Sequence, residues 1–205
     1  MKDTIKMVVA IVIFATAACT GLAFVYMSTK DRIDENKTAK FNAALKEIFP
    51  SAESFEEVQL VETNDNPAVT MKSAAHRAVS GGKTLGIAIN VSDMGFSDTI
   101  EALVGISSDN IVTGVRILKN TDTPGLGANA SSDTYFIDKN TKTKTFYGQF
   151  SGMKAGAPIK VTKDGGDVAA ITAATITSRA VSLLVETAAR AGEAYFSQTQ
   201  NGGKN

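Results

Sequence analysis

No charged residue occurs between Lys6 and Lys30, and Met7 to Met27 is almost wholly apolar. Wound as an α-helix, that run spans roughly 30 Å, the thickness of a bilayer core. A cleaved leader is the rival reading. Ala15-Thr16-Ala17 has the small-residue pattern of a signal cleavage site, and Ala17-Ala18-Cys19 ends in cysteine as a lipoprotein signal does. Thr16, however, stands where lipoprotein signals prefer leucine, and the apolar run continues past both cut sites through Leu22, Phe24, Val25 and Tyr26. A retained transmembrane helix fits that pattern better. Flanking charge leaves the orientation open: Lys2 and Lys6 precede the run, and Lys30, Arg32, Lys37 and Lys40 follow it. Residues 1–30 are therefore expected to form a transmembrane anchor and residues 31–205 a single domain.

That domain is of ordinary size. Lys plus Arg and Asp plus Glu each number 21, so there is no basic surplus to attract nucleic acid. The single cysteine, Cys19, lies in the anchor, which leaves the domain without a disulfide, a thiolate metal site or a cysteine nucleophile. One histidine, His76, cannot build a histidine-rich metal site; beside Arg77 it reads as a surface residue. No constellation of acid, base and nucleophile is present, so no catalytic residue and no metal ligand is assigned.

The remaining pattern predicts an α+β fold, with an antiparallel sheet and flanking helices around one core. Asp31 to Phe49 reads as a helix ended by Pro50. Strands are expected over Phe55–Val61, Lys83–Val91, Ile100–Ile106 and Ile111–Leu118, with weaker ones over Thr145–Phe150 and Pro158–Thr162. Asn64–Pro67, Gly81-Gly82 and Ser107–Asn110 read as turns. Ser178–Tyr195 carries Val181, Leu184, Val185 and Ala188 at helical spacing, and the polar tail from Gln198 reads as unstructured.

Asp164 to Val181 concentrates the chemistry. Gly165 and Gly166 break what precedes, Val168–Ile171 is apolar enough for a buried strand end, and Thr172–Ser178 holds four hydroxyls in seven residues just before the helix. Hydroxyls there serve as ordinary caps, or they and the free N–H groups of the first turn receive an anion such as phosphate. A second stretch, Asp122-Thr123-Pro124-Gly125-Leu126-Gly127, follows a strand directly; Pro-Gly is a turn signal, and Gly125 is expected at positive φ if the turn is type II.

Both stretches carry a resemblance. Thr172-Ala173-Ala174-Thr175 is similar to the Ser/Thr-Gly-Ala-Thr motif of the FMN-binding domain family, found in Rnf and Na⁺-pumping NADH:quinone oxidoreductase complexes. The Asp122–Gly127 loop resembles that family's Glu-Thr-Pro-Gly-Leu-Gly, and Gly95-Phe96-Ser97 resembles a Gly-aromatic-Ser/Gly stretch that precedes a strand. The chain departs from the pattern at Ala173, where the family usually has Gly, and at Ala169, where it has Asp. It also has Asp122 in place of Glu, and Asn120 at a position that commonly holds His.

The resemblance implies FMN attached by a phosphoester bond to Thr175. Thr172, Ala173, Ala174, Ile176, Thr177 and Ser178 would surround the phosphate, with Asp122, Thr123, Gly125 and Leu126 at the ring and Lys160 nearby. It implies partners as well: other membrane subunits of an electron-transport complex and a flavin transferase, with the domain outside the cytoplasmic membrane. The chain's shortness is more similar to the G subunit of Rnf complexes than to the C subunit of the Na⁺-pumping enzyme. A membrane-tethered binding module without redox function is the competing class.

Overall fold

The computed structural model of the chain describes residues 2–60, 67–72 and 74–202. They divide into two units, Met1–Asn42 and Ala43–Asn205. The helix α1, Lys2–Ile48, runs unbroken through that boundary, so the expected anchor helix and the expected Asp31–Phe49 helix are one element. It contains a segment long and apolar enough to cross a membrane, with a mean hydropathy of 2.5. The few polar side chains in this run satisfy themselves locally. Thr16, Thr20 and Thr29 donate to carbonyls one turn back at 2.8 Å, and Ser28 does so at 2.9 Å. Such back-bonding would lower the cost of placing a hydroxyl in an apolar surrounding.

The second unit is built on one antiparallel sheet. Its strands are β1 (Ser54–Gln59), β2 (Thr70–Met71), β3 (Ala74–Ser80), β4 (Lys83–Met94), β5 (Thr99–Ser107) and β6 (Val112–Lys119). The order is β1-β3-β4-β5-β6, with β2 also beside β4. Gly81 and Gly82, both at positive φ, turn β3 into β4. Asn110, at φ 58, closes the β5–β6 turn through its amide, which donates to the Ser107 carbonyl at 3.0 Å. Asparagine tolerates this left-handed geometry better than most residues.

The middles of β4 and β5 are buried on both faces. On one face Gly86, Gly105 and Gly114 leave a trough occupied by Ile48 and Phe49, the last residue of α1 and the one that follows it. On the other, Ile106 meets Gly192 of the helix α2, Thr175–Gly202. Alternation along β5 thus sends Gly105 towards Ile48 and Ile106 towards α2. The helix contributes Val181, Leu184, Val185 and Ala188 to a core completed by Ile87, Ile89, Val104, Phe146 and Phe150. Arg116 on β6 fastens the end of α1 from the same unit: its guanidinium pairs with Glu47 and Asp133 and lies 4.5 Å from the centre of the Tyr147 ring.

The strands expected over Phe55–Val61, Lys83–Val91, Ile100–Ile106 and Ile111–Leu118 correspond to β1, β4, β5 and β6. Val61 and most of the Asn64–Pro67 turn lie outside the described residues. Three expectations are corrected. Thr145–Phe150 is not a strand but leads into a 3-10 turn at Tyr147–Phe150, because the Thr145 hydroxyl accepts the Gly148 amide at 3.1 Å and winds the chain. Pro158–Thr162 and Val168–Ile171 make a single parallel bridge, Val161 to Val168, instead of strands. The final helix starts three residues before Ser178 and continues past Gln198 to Gly202, so that part of the tail is helical. Strand β3 has no counterpart among the expected strands.

The glycine trough yields a stability prediction. A Cβ at Gly105 would stand 2.1 Å from Ile48 Cγ2 and 2.4 Å from Thr113 Oγ1. Gly105→Ala should therefore destabilise the domain by about 1–3 kcal/mol through overpacking. Chemical denaturation measures this, and an unchanged midpoint would mean that Ile48 does not seat in the trough.

Candidate functional site

The site begins with the approach to α2. Gln149, buried, clamps Ala169 from both sides: its side-chain amide donates to the Ala169 carbonyl at 3.1 Å, and the Ala169 amide donates to its Oε1 at 2.8 Å. The chain then makes a tight turn over Ile171–Ala174, with the Ala174 amide donating to the Ile171 carbonyl at 3.0 Å. Thr172 and Ala173 sit exposed at its apex. Ala173 has φ 60, in the left-handed region where glycine is favoured. That geometry gives a physical reason for a glycine in the motif this turn resembles. The Ser178 hydroxyl holds the turn from beneath, accepting the Ile171 amide at 3.0 Å and donating to the Ala174 carbonyl at 2.9 Å.

The expected roles of the hydroxyls change accordingly. Thr175 opens the helix and does not precede it. Thr177 is not a cap: it lies inside the first turn, 1 % exposed, and donates to Asp122 Oδ2 at 2.6 Å. Ser178 is fully buried and committed to the turn. Side chains of Thr177 and Ser178 thus face protein, while the first-turn N–H groups keep the free donors that every helix start has.

The second segment is the loop after β6. Thr123-Pro124-Gly125-Leu126 is a turn closed by the Leu126 amide on the Thr123 carbonyl at 3.1 Å, with Gly125 at φ 77. Proline at the second position and positive φ at the third are the type II pattern expected above. Asn120 ties the loop base, accepting the Asp122 amide at 3.0 Å and donating to the Gly127 carbonyl at 3.0 Å.

Asp122 joins these segments to a third. Its carboxylate, 3 % exposed, accepts the Ser97 amide at 2.8 Å, the Phe96 amide at 3.4 Å and the Thr177 hydroxyl at 2.6 Å. Gly127 is required beside it, because a Cβ there would lie 2.5 Å from Thr177 Oγ1 and 2.8 Å from Asp122 Oδ2. A second carboxylate, Asp98, braces the same loops from the surface, accepting Lys119 Nζ at 2.8 Å and the Thr121 hydroxyl at 3.1 Å. The Lys119 ammonium, helped by the Thr99 amide and Thr121, lowers the Asp98 carboxyl to about 2.

The three segments enclose a cleft of about 310 Å³. Its walls include Asp122, Thr123, Leu126, Ala173, Ala174, Thr175, Ile176 and Thr177 from the expected set, together with Phe96 and Gly127. Thr172, Gly125 and Ser178 stand next to it in sequence but do not line it. Lys160 is exposed and lines a different cleft with Met153, Lys154 and Asp167. In the sequence Phe96 stands out only as part of a matching stretch; in the fold, its 65 % exposure as a large apolar side chain is the signal that marks it. Ile176 and Leu126, at 53 % and 39 %, complete an apolar rim. Apolar walls with convergent donors suit a flat ring carrying a phosphate tail. The helix start beside Thr175 has the free N–H groups that could receive an anion. Among the described residues no cluster of His, Cys, Asp and Glu could hold a metal ion.

Residues 95–190 match the FMN-binding domain family, a span that begins at Gly95 and takes in all three segments. The chain is 34 % identical over 183 residues to the G subunit of the ion-translocating oxidoreductase complex of Methanosarcina acetivorans, covering 88 % of this chain and 89 % of that one. It is 31 % identical over 184 residues to the G subunit of the Na⁺-translocating ferredoxin:NAD⁺ oxidoreductase complex of Acetobacterium woodii, covering 83 % and 82 %. Among solved structures it is similar to Shewanella oneidensis NqrC, at 18 % identity and a TM-score of 0.48, covering 75 % of this chain and 73 % of that one.

The left-handed alanine gives a test of the turn. Ala173→Gly should raise stability by about 1 kcal/mol, because relief of roughly 1–2 kcal/mol of strain outweighs the added freedom of the unfolded chain. The denaturation midpoint should rise with an unchanged slope; a fall would show that Ala173 is not held at positive φ.

Proposed function

The chain belongs to the family of G subunits of ion-translocating oxidoreductase complexes, and from that premise we propose that it is the flavin-carrying electron-transfer subunit of a membrane ferredoxin–NAD oxidoreductase (Rnf) complex. The observation that carries this reading is the convergence of Phe96, Thr123-Leu126-Gly127 and Ala173–Thr177 on one cleft, with Thr175 at the first position of α2. FMN, bound through a phosphoester on Thr175, supplies the redox chemistry there.

The protein's own residues attach and orient. Thr175 offers the acceptor oxygen, and the first-turn N–H groups of α2 lie beside it for the phosphate. Phe96, Leu126 and Ile176 wall the ring, and the Thr123 turn frames it. Thr172 is exposed on the preceding turn and Thr177 is engaged by Asp122, which favours Thr175 among the three neighbouring threonines. Lys160, on another cleft, has no part in this arrangement. A covalent bond suits a domain facing a large outer volume, where a dissociable cofactor would be lost by mass action.

Residues 1–30 would anchor the subunit and residues 31–205 would lie on the extracytoplasmic side. A flavin transferase would load Thr175, and neighbouring membrane subunits would donate and accept the electrons. The likeness to G subunits over most of the chain favours this reading over a C-type subunit of the Na⁺-pumping enzyme.

The attachment is tested by mass spectrometry of the tryptic peptide ending at Arg179, made in cells that contain the transferase. FMN phosphate is expected on Thr175, and Thr175→Val should abolish flavin fluorescence in a denaturing gel while leaving a folded, membrane-inserted chain. Flavin on Thr172 or Thr177, or flavin retained in Thr175→Val, would refute the assignment.

The topology has its own measurement. Protease added outside the cytoplasmic membrane should digest the domain, and carbonate extraction should leave the anchor behind. Digestion only in inverted vesicles would place the domain inside.

A further inference from the structure

Asp122 lines the cleft, and its carboxylate accepts hydrogen bonds from two other segments of the chain. Ser97 and Phe96 amides reach it from the loop before β5, and the Thr177 hydroxyl reaches it from α2, 55 residues along the chain. The 2.6 Å bond to Thr177 is a direct polar link between the loop after β6 and α2. It is also sterically guarded, since any side chain at Gly127 would strike both partners. A ring held between Phe96, Leu126 and Ile176 has walls from all three segments, so its confinement depends on those segments staying together.

We propose that the Asp122–Thr177 hydrogen bond is a latch, and that Asp122 is a positioning residue which fixes the flavin ring in the cleft without taking part in its attachment. This deepens the reading above and rests on FMN occupying this cleft. Opening the latch should free the ring while leaving the phosphoester on Thr175 intact.

The test uses the full chain in detergent, flavin-loaded, as wild type, Thr177→Val, Thr177→Ser, Gly127→Ala, Asp122→Asn and Gly105→Ala. Gly105→Ala disturbs the face of the sheet that receives Ile48, opposite α2, and controls for general destabilisation. Covalent flavin per chain should be near wild type throughout. In Thr177→Val, Gly127→Ala and Asp122→Asn, flavin fluorescence anisotropy should fall, the visible spectrum should lose fine structure and the midpoint potential should shift. Thr177→Ser should restore all three signals, and Gly105→Ala should leave them unchanged. Exchange of the Phe96 and Ser97 amides should quicken about tenfold or more in the latch variants alone.

Wild-type ring signals in Thr177→Val, or equal changes in Gly105→Ala, would overturn the proposal. If the wild-type chain carries no flavin, the functional reading fails, and with it the role at the ring. The amide exchange then decides the latch by itself: selective quickening upholds it, and unchanged exchange removes it.

Discussion

A carboxylate with almost no exposure must find donors, and where those donors come from determines what it holds together. Asp122 draws them from two backbone amides and one hydroxyl on segments far apart in sequence. Its own loop is held by Asn120 and turned by Gly125. Removing any one partner would leave the others around a poorly satisfied buried group, and such losses are larger than the net value of a single hydrogen bond. The cleft therefore stands or falls as a unit.

That unit is carried on a stiff base. The central strands are covered on both faces, by Ile48 and Phe49 in the glycine trough and by α2 on the other side. Because α2 also supplies Thr175 and Thr177, the packing that stabilises the domain fixes the position of that wall of the cleft as well. Val181, Leu184 and Val185 set the helix against the sheet, and its first turn is left facing the loops after β4 and β6.

Much of this is legible in the sequence, and the exceptions have physical causes. Alternating Ile and Val over β4, β5 and β6 mark strands, and Pro124-Gly125 marks a type II turn, because each signal is local. β3 escapes sequence reading because Ala74–Ser80 is built largely of Ala, His, Arg and Ser, residues whose extended form is imposed by pairing with β1 and β4 and not by their own preference. Thr145–Phe150 looks like a strand by its aromatic residues, but one threonine hydroxyl winds it into a 3-10 turn. The hydroxyls of Thr172–Ser178 can be located in the sequence as a group but not separated by role. The early start of α2 at Thr175 and the bond to Asp122, distant in sequence, together distinguish Thr177 from a cap.

The apolar rim has a different origin from the core. From residue 43 onward, the large apolar side chains that stand exposed among the described residues are Met94, Phe96, Leu126 and Ile176. Three of them line the cleft and the fourth lies two residues from Phe96. Isolated apolar residues on a surface need no explanation, but their gathering at one cleft mouth does. They could not be buried by folding further, because each is fixed by an element whose other residues are already committed: Ile176 by the first turn of α2, Leu126 by the turn at Gly125, and Phe96 by its amide on Asp122. The same contacts that close the three segments on one another thus hold an apolar opening in place. Under the function proposed above, an open mouth of this kind would let the protein grip the flavin ring and leave it near the surface for electron exchange with a neighbour.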